Sequence, residues 1–393
     1  MTSAIIFILL LSVLVLIHEF GHYITAKKCG ILVEEFGLGI PPRIFGKKFG
    51  ETIYSINLFP FGGFVRLKGE DAIEVTDQEL GDPRSFVSKT PFQRILVISA
   101  GVIMNMLFGA TLFYIFLGLN GFKSAQLPLI FPYEFRFGNV QKTNTVIFGL
   151  DDNSPLKSAD IPVELGDTLV SIDGVAVNSL YDVRTLVEDK ADEEVTVIIK
   201  PKNSSVTREL TVIPYVDMEE SKEPQSAGGL EGLQNPARLG VYLGSTAYIH
   251  YDTVPQKLTA GFLHSYNILA YTVATMGNLV DLSVREGTAE PLTETVSGPV
   301  GIYSIVDNIV SYSGKQAFMN LIDLMGLISV SLAFLNILPL PALDGGRIFF
   351  ILLEVIRRKK VNPNFEAKVH QFGMLALLSF LVLITIRDVT RIF

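Results

Sequence analysis

The chain has 393 residues, enough for two or three domains, and 49% of them are hydrophobic whereas only 18% are charged. This composition is too apolar for a soluble protein of that length and is typical of a membrane protein with one polar insert. The net charge of −8 argues against nucleic acid as a partner. The single cysteine, Cys29, excludes an intramolecular disulfide.

The first apolar run of the sequence ends in the pentapeptide HEFGH, His18–His22. If residues 5–26 form a helix, the two histidines lie one turn apart on the same face, where both can bind one Zn²⁺. Glu19, beside the first histidine, is then placed to exchange protons with an attacking water. The histidines could also be ordinary polar residues near a membrane interface. Metal-binding side chains directly after such a run are costly in lipid, however, and are usually functional.

The loop after this first span is rich in glycine and aromatic residues. Alternation at 54–58 and 64–67, broken at Gly62 and Gly63, predicts a β-hairpin. Its apolar content predicts that it enters the bilayer, where an uncovered strand edge is not tolerated. Two roles remain open. The hairpin is either a packing element or an edge, formed by Gly62, Gly63 and Phe64, that accepts an extended peptide by strand addition.

From about residue 144 the composition changes to that of an α+β domain. The predicted elements are two strands around Asp173–Gly174, a helix over 179–190, and strands at 195–200 and 206–213. The stretch LGDTLVSIDG, residues 165–174, resembles the PDZ domains of bacterial proteases. Where those domains carry a glycine this chain has Asp160, a departure that argues against capture of a substrate C-terminus.

Basic residues predict the topology. Lys27 and Lys28 follow the first span, and the basic residues 357–360 follow the third span. These two basic flanks are predicted to lie on the cytoplasmic side, which places both termini of the chain outside. The ambiguous segment 259–282 is then a surface helix. This choice places Asp344 at the depth of the histidines, whereas a further span would put it across a hydrocarbon core about 30 Å thick. Asp344 is therefore the candidate third ligand, although alone it could be a plain helix N-cap.

The predicted fold is a polytopic α-helical membrane protein with four transmembrane helices, a membrane-associated β-hairpin region and an inserted α+β PDZ-like domain. Its five predicted regions are an N-terminal membrane part (1–119), the PDZ-like domain (144–215), a linker (216–250), an amphipathic surface helix region (251–316) and a C-terminal membrane part (317–393).

HEFGH, the hairpin loop, the insert and NILPLPALDGG at 336–346 together resemble the site-2 protease family of intramembrane zinc metalloproteases, RseP type. The resemblance implies that His18, His22 and Asp344 are the zinc ligands. It also implies that Glu19 is the catalytic base and that Asn336 handles the substrate helix. The family pattern AGPxxN is AGVIMN here, so Asn105 matches a substrate-handling position within a changed motif. The other histidines are interpreted as structural: His250, His264 and His370.

The resemblance also implies regulated intramembrane proteolysis in a bacterial cytoplasmic membrane, with the PDZ-like domain extracytoplasmic. The expected substrates are single-span membrane proteins trimmed beforehand by another protease, such as anti-sigma factors or remnant signal peptides. Two other classes of protein are possible. A non-catalytic PDZ-bearing scaffold is disfavoured because Glu19 and Asp344 are both present. A transporter predicts internal repeats and ionisable residues in several spans, and the sequence has neither.

Overall fold

The computed structural model describes the chain outside residues 1, 71–80, 152, 158–162, 179, 192, 203–205, 217–236, 289–297, 360 and 393. It divides into two compact units. The membrane unit comprises Met1–Phe122 and Asp252–Phe393, and the inserted unit comprises Lys123–Tyr251.

The described helices are α1 Thr2–Lys28, α2 Pro91–Leu119, α3 Leu180–Val187, α4 Val254–Leu258, α5 Ala260–Glu286, α6 Pro299–Tyr312, α7 Ala317–Ile337, α8 Asp344–Arg357 and α9 Pro363–Ile392. Four of the described helices are long and apolar enough to cross a membrane. They are α1, α2, α7 and α9, which agrees with the four predicted spans. The chain is therefore an integral, multi-pass membrane protein.

The centre of the membrane unit is the contact of α2 with α1 and α7. Helix α2 starts with a capping box, in which the Thr90 side chain accepts a hydrogen bond from the Gln93 N–H. A Cβ on Gly109 would lie 2.6 Å from the Val330 side chain, so α2 and α7 can approach this closely only with glycine there. Gly109 thus allows α2 and α7 to pack closely.

The described strands are β1 Val33–Phe49, β2 Thr52–Leu67, β3 Leu127–Leu129, β4 Asn139–Leu150, β5 Thr168–Ile172, β6 Val175–Ala176, β7 Val195–Lys200, β8 Arg208–Val212, β9 Tyr215–Val216, β10 Ala237–Arg238 and β11 Val241–His250. Strands β1 and β2 belong to the membrane unit and form their own sheet.

The predicted hairpin is wrong in its pairing. Residues 54–58 and 64–67 do not pair with each other, because both lie in β2 and both pair with β1. Phe36 of β1 lies opposite Val65 and also opposite Tyr54. Gly62, with φ of 77°, and several register shifts allow β2 to bend around β1 instead of turning back on itself.

Helix α5 covers most of the predicted surface segment and is not among the four candidate spans. Its first half nevertheless packs against α2. A Cβ on Gly261 would lie 2.1 Å from the Ala110 carbonyl oxygen, and the fully buried His264 ring meets the Phe113 ring edge-on at 4.7 Å. Leu269 then lines an apolar cavity of about 290 Å³ together with residues of α2 and α7. The region 251–316 is therefore partly packed into the helical bundle.

The inserted unit is built on a seven-stranded antiparallel sheet in the order β3-β11-β4-β5-β7-β8, with β6 on β5. The predicted strands and the predicted helix of this region are confirmed by β5 to β8 and α3. Asp173 occupies the turn between β5 and β6 and accepts hydrogen bonds from Lys190 and Thr196. The Lys190 ammonium holds the pKa of the Asp173 carboxyl below its usual range.

The predicted linker at 216–250 is wrong at its C-terminal end. Val241–His250 is β11, which pairs with β3 and β4 inside the sheet. For the same reason the compact unit begins at Lys123 rather than at residue 144. The PDZ assignment of this unit stays a prediction, and Asp160 lies outside the described residues.

Candidate active site

Two buried histidines of α1 meet a carboxylate that begins α8. The His18 Nε2 and His22 Nε2 atoms lie 3.0 Å apart, and they lie 3.1 Å and 3.4 Å from Asp344 Oδ2. All three ligand atoms lie within 4.8 Å of one another, so one ion can contact them together. The helical spacing of four residues and the depth-matched carboxylate therefore meet as the sequence predicts.

The backbone of α2 orients the second histidine. His22 Nδ1 lies 2.9 Å from the Val97 carbonyl oxygen, which can only accept, so Nδ1 carries the proton and donates it. This hydrogen bond leaves His22 Nε2 as the atom with a free lone pair on the side of Asp344. A backbone carbonyl in this position is a frequent partner of a metal-binding histidine.

Glycines at the crossing of α1 and α2 make this contact possible. A Cβ on Gly21 would lie 2.4 Å from the Ala100 carbonyl oxygen. A Cβ on Gly101 would lie 2.5 Å from His22 Nε2 and 2.7 Å from His18 Cε1, where no side chain fits. The absence of a side chain at residue 101 thus preserves the space next to both imidazoles.

The segment between α7 and α8 places the carboxylate. Helix α7 ends at Ile337, just before Pro339, because proline cannot continue the hydrogen-bond pattern of a helix. A Cβ on Gly345 would lie 2.1 Å from the Leu338 carbonyl oxygen, and a Cβ on Gly346 would lie 2.3 Å from that of Leu340. The two glycines of LDGG therefore let α8 start directly against the preceding loop, with Asp344 in its first turn.

Glu19 lies in a cavity of about 220 Å³ beside His18, His22 and Asp344. Its Oε2 accepts a hydrogen bond from the Val65 N–H at 3.0 Å, which joins the carboxylate to strand β2. Arg347, one turn after Asp344, also lines the cavity and forms an ion pair with Glu70, just beyond the end of β2. The cavity therefore has α1 and β2 among its walls, as well as the start of α8.

The residues present fit Zn²⁺. Two imidazole nitrogens and one carboxylate oxygen are a ligand set found in catalytic zinc sites, which keep a further position open. Asp344 Oδ2 is buried and accepts no hydrogen bond from the described residues. A buried carboxylate oxygen that faces the lone pair of His22 Nε2 is destabilised unless a cation lies between them.

The structure separates the other predicted site residues into two groups. Phe64 lines the catalytic cavity, and a Cβ on Gly63 would lie 3.8 Å from Glu19 Cγ. Gly62 lies against Val15 of α1. Asn105 and Asn336 do not line this cavity. They do not line the apolar cavity between α2, α5 and α7 either, although their chain neighbours Met106 and Ile337 do.

Four contributions to the site were not predicted: the Val97 carbonyl, the Val65 N–H, Gly101 and Arg347. The two backbone groups carry no signal in the sequence. Gly101 follows Ala100 on an apolar helix, a small-residue pair that indicates a helix contact but not its partner. Arg347 follows directly after the LDGG glycines, and helical periodicity from Asp344 could have placed it on the same face.

Comparison with known proteins agrees with this geometry. The family model described as Peptidase family M50 matches residues 6–380. A protein of Clostridium perfringens whose name assigns it to the zinc metalloproteases is 33% identical over 388 residues, covering 98% of both chains. The regulator of sigma-W protease RasP of Bacillus subtilis is 28% identical and covers 100% of this chain and 99% of its own length. The zinc metalloprotease RasP of Bacillus licheniformis is also 28% identical, with full coverage of both chains.

The chain belongs to peptidase family M50, the site-2 proteases. It is an intramembrane zinc metalloprotease, and Zn²⁺ is its cofactor. The predicted family is therefore confirmed, and the scaffold and transporter alternatives are wrong.

Gly101→Ala is expected to weaken zinc binding at least about tenfold, because the new methyl group displaces His22 or His18. Gly118→Ala is the matched control in the same helix, since a Cβ there would have nothing within 4 Å, and this variant should bind zinc normally. Zinc affinity can be measured by competition with a chelator of known affinity. Equal affinities in the two variants would contradict the role given to Gly101.

Proposed function

We propose that this protein hydrolyses peptide bonds within transmembrane segments of single-span membrane proteins. In this proposal His18, His22 and Asp344 hold Zn²⁺, and Glu19 is the general base. The observation that carries it is the meeting of these three ligand atoms, within 4.8 Å, beside a glutamate in one cavity. This cluster is built from the end of an apolar helix and the start of α8, which suits chemistry inside a membrane.

Zn²⁺ bound in such a site polarises the scissile carbonyl and promotes deprotonation of water. Glu19 takes the proton of the attacking water and returns it to the leaving amine. The Val65 N–H fixes Glu19 Oε2 and leaves the other carboxylate oxygen for this transfer. His22 keeps its proton on Nδ1 through the Val97 carbonyl.

The edge of β2 is proposed to bind the unwound part of the substrate. A transmembrane helix hides its peptide bonds in its own hydrogen bonds, so a segment must become extended before cleavage. The Val65 N–H donates to Glu19 Oε2, which supports a strand edge of β2 beside the proposed general base. An extended peptide added there would pass the cavity, with Gly62 and Gly63 offering little obstruction and Phe64 forming a wall.

Asn105 and Asn336 are proposed to act on the substrate helix as it unwinds. Asn105 Oδ1 is buried and has no hydrogen-bond partner among the described residues, and an amide can offer hydrogen bonds to freed backbone groups. Asn336→Leu should then lower kcat/KM for a helical substrate without changing zinc affinity. An unchanged kcat/KM would contradict the role proposed for Asn336.

The natural substrates are proposed to be anti-sigma factors or remnant signal peptides. A relative named regulator of sigma-W protease supports the first class. Proteomics of membrane fractions from cells with the wild-type protein or Glu19→Gln tests this proposal. Single-span membrane proteins should accumulate in the variant, and the absence of any accumulating protein of this kind would contradict it.

The protein is proposed to lie in a bacterial cytoplasmic membrane with its inserted unit and both termini outside. The basic flanks after the first and third spans support this orientation. Single cysteines at residues 80 and 360, in a Cys29→Ser background, should be protected from an impermeant thiol reagent in intact cells. Labelling of either position from outside would refute the orientation.

The inserted unit is proposed to select substrates by size. Its described residues contain no cluster of side chains that could bind a metal. As a compact unit, it is proposed to obstruct the folded outer portion of an untrimmed substrate. Proteins already trimmed by another protease would be admitted. Capture of a new C-terminus is the competing role.

Replacing Lys123–Tyr251 by a short glycine-rich linker should leave cleavage of a short-tailed substrate intact and permit cleavage of an untrimmed one. The boundaries follow the compact unit, so no strand of its sheet is left behind. A folded, zinc-bound variant that still rejects the untrimmed substrate would refute the filter. Failure on both substrates would indicate that the unit recruits substrates or supports the structure instead.

A further inference from the structure

His370 on α9 contacts the loop that carries Asp344. Its Nδ1 accepts a hydrogen bond from the Ala342 N–H at 2.9 Å, two residues before the carboxylate. Accepting this bond requires an unprotonated Nδ1, so the ring proton lies on Nε2. His370 is thus joined by one hydrogen bond to the backbone that determines where Asp344 begins α8.

The loop needs such support at this point. Ala342 has φ of 73°, a left-handed conformation that is unfavourable for any residue with a Cβ. Pro339 and Pro341 lack N–H groups and cannot contribute donors to hold the loop. The Ala342 N–H is therefore an important donor through which a neighbouring helix can hold this loop.

The surroundings of His370 hold the ring in place. Its ring lies 5.6 Å from the Phe350 ring of α8. One turn further along α9, a Cβ on Gly373 would lie 2.3 Å from Pro341 Cβ, so α9 contacts the loop at two successive points. The last membrane helix, which contributes no proposed ligand, consequently forms the support of the Asp344 loop.

We propose that His370 is a positioning residue for Asp344, acting through the hydrogen bond from the Ala342 N–H to its Nδ1. This inference rests on the proposed function, in which Asp344 is a zinc ligand. Groups that hydrogen-bond a metal ligand directly typically change metal affinity 10- to 100-fold when they are removed. His370 bonds the backbone two residues before the ligand, so we expect an effect near the lower end of this range.

The test compares zinc affinities of three purified full-length variants by chelator competition. His370→Leu removes the acceptor and should weaken zinc binding about tenfold or more. His370→Asn keeps an acceptor oxygen the same number of bonds from Cα as Nδ1 and should stay within about threefold of wild type. Phe372→Leu, a change to a 75% exposed side chain on the same helix, should bind zinc as the wild type does.

Equal losses in His370→Leu and His370→Asn would overturn the proposal, because the acceptor would then be irrelevant. An unchanged affinity in His370→Leu would overturn it as well. Thermal unfolding of the zinc-free proteins separates positioning from folding: the Leu and Asn variants should melt together, and a Leu variant that melts much earlier would count against positioning. Asp344→Asn tests the underlying assignment separately, since normal zinc binding there would refute the ligand role itself.

Discussion

Glu19→Gln is expected to bind one Zn²⁺ per chain with wild-type affinity and to lose roughly 10²- to 10⁴-fold in kcat. Glu19 lies in the cavity but outside the three-atom cluster, so we expect its carboxylate to serve proton transfer and not metal binding. The glutamine can still accept the Val65 N–H through its amide oxygen, which preserves the local structure. Zinc content by elemental analysis and cleavage of a reconstituted single-span substrate measure the two effects.

Glu34→Gln is the matched control for this change, because Glu34 is an exposed carboxylate of β1. It should keep both zinc and activity. A Glu19→Gln protein that lost its zinc would show that Glu19 is a ligand. A variant that retained cleavage would show that another group transfers the proton.

Asp344→Asn is expected to weaken zinc binding by more than the roughly 100-fold reached by changes outside the metal sphere, and to abolish cleavage. The amide keeps the shape of the side chain but removes the negative charge that faces the two imidazoles at 3.1 Å and 3.4 Å. The measurement is chelator competition, followed by activity at saturating zinc.

Asp281→Asn, which alters an exposed carboxylate of α5, should leave zinc affinity unchanged and serves as the comparison. If Asp344→Asn also bound zinc normally, the third ligand would have to be another residue. The position of Asp344 next to both histidines would then be only structural.

The three side chains of the proposed zinc site could be placed together from the sequence because each lies at the end of an apolar span. His18 and His22 follow from helical spacing, and Asp344 follows from matching membrane depths by the charge of the loops. The helical spans could also be predicted, because the length of an apolar run is enough to indicate a membrane-spanning helix. The spans depend only on residues close together in the chain.

The errors arise where distant residues decide the structure. Strand β11 lies in a region interpreted as linker, and its partner β4 lies about a hundred residues earlier, so local composition did not reveal it. The bend of β2 depends on β1 pairing with two parts of it. Gly101 and His370 act through contacts with other helices, and His370 was interpreted only as structural.

The most direct test of the central claim is to map the bond that the zinc-loaded protein cleaves in a reconstituted single-span substrate by mass spectrometry. We expect new termini inside the apolar segment, formed by the wild type and by neither the zinc-free protein nor Glu19→Gln. Cleavage confined to the polar flanks, or cleavage that continues without zinc, would contradict this mechanism.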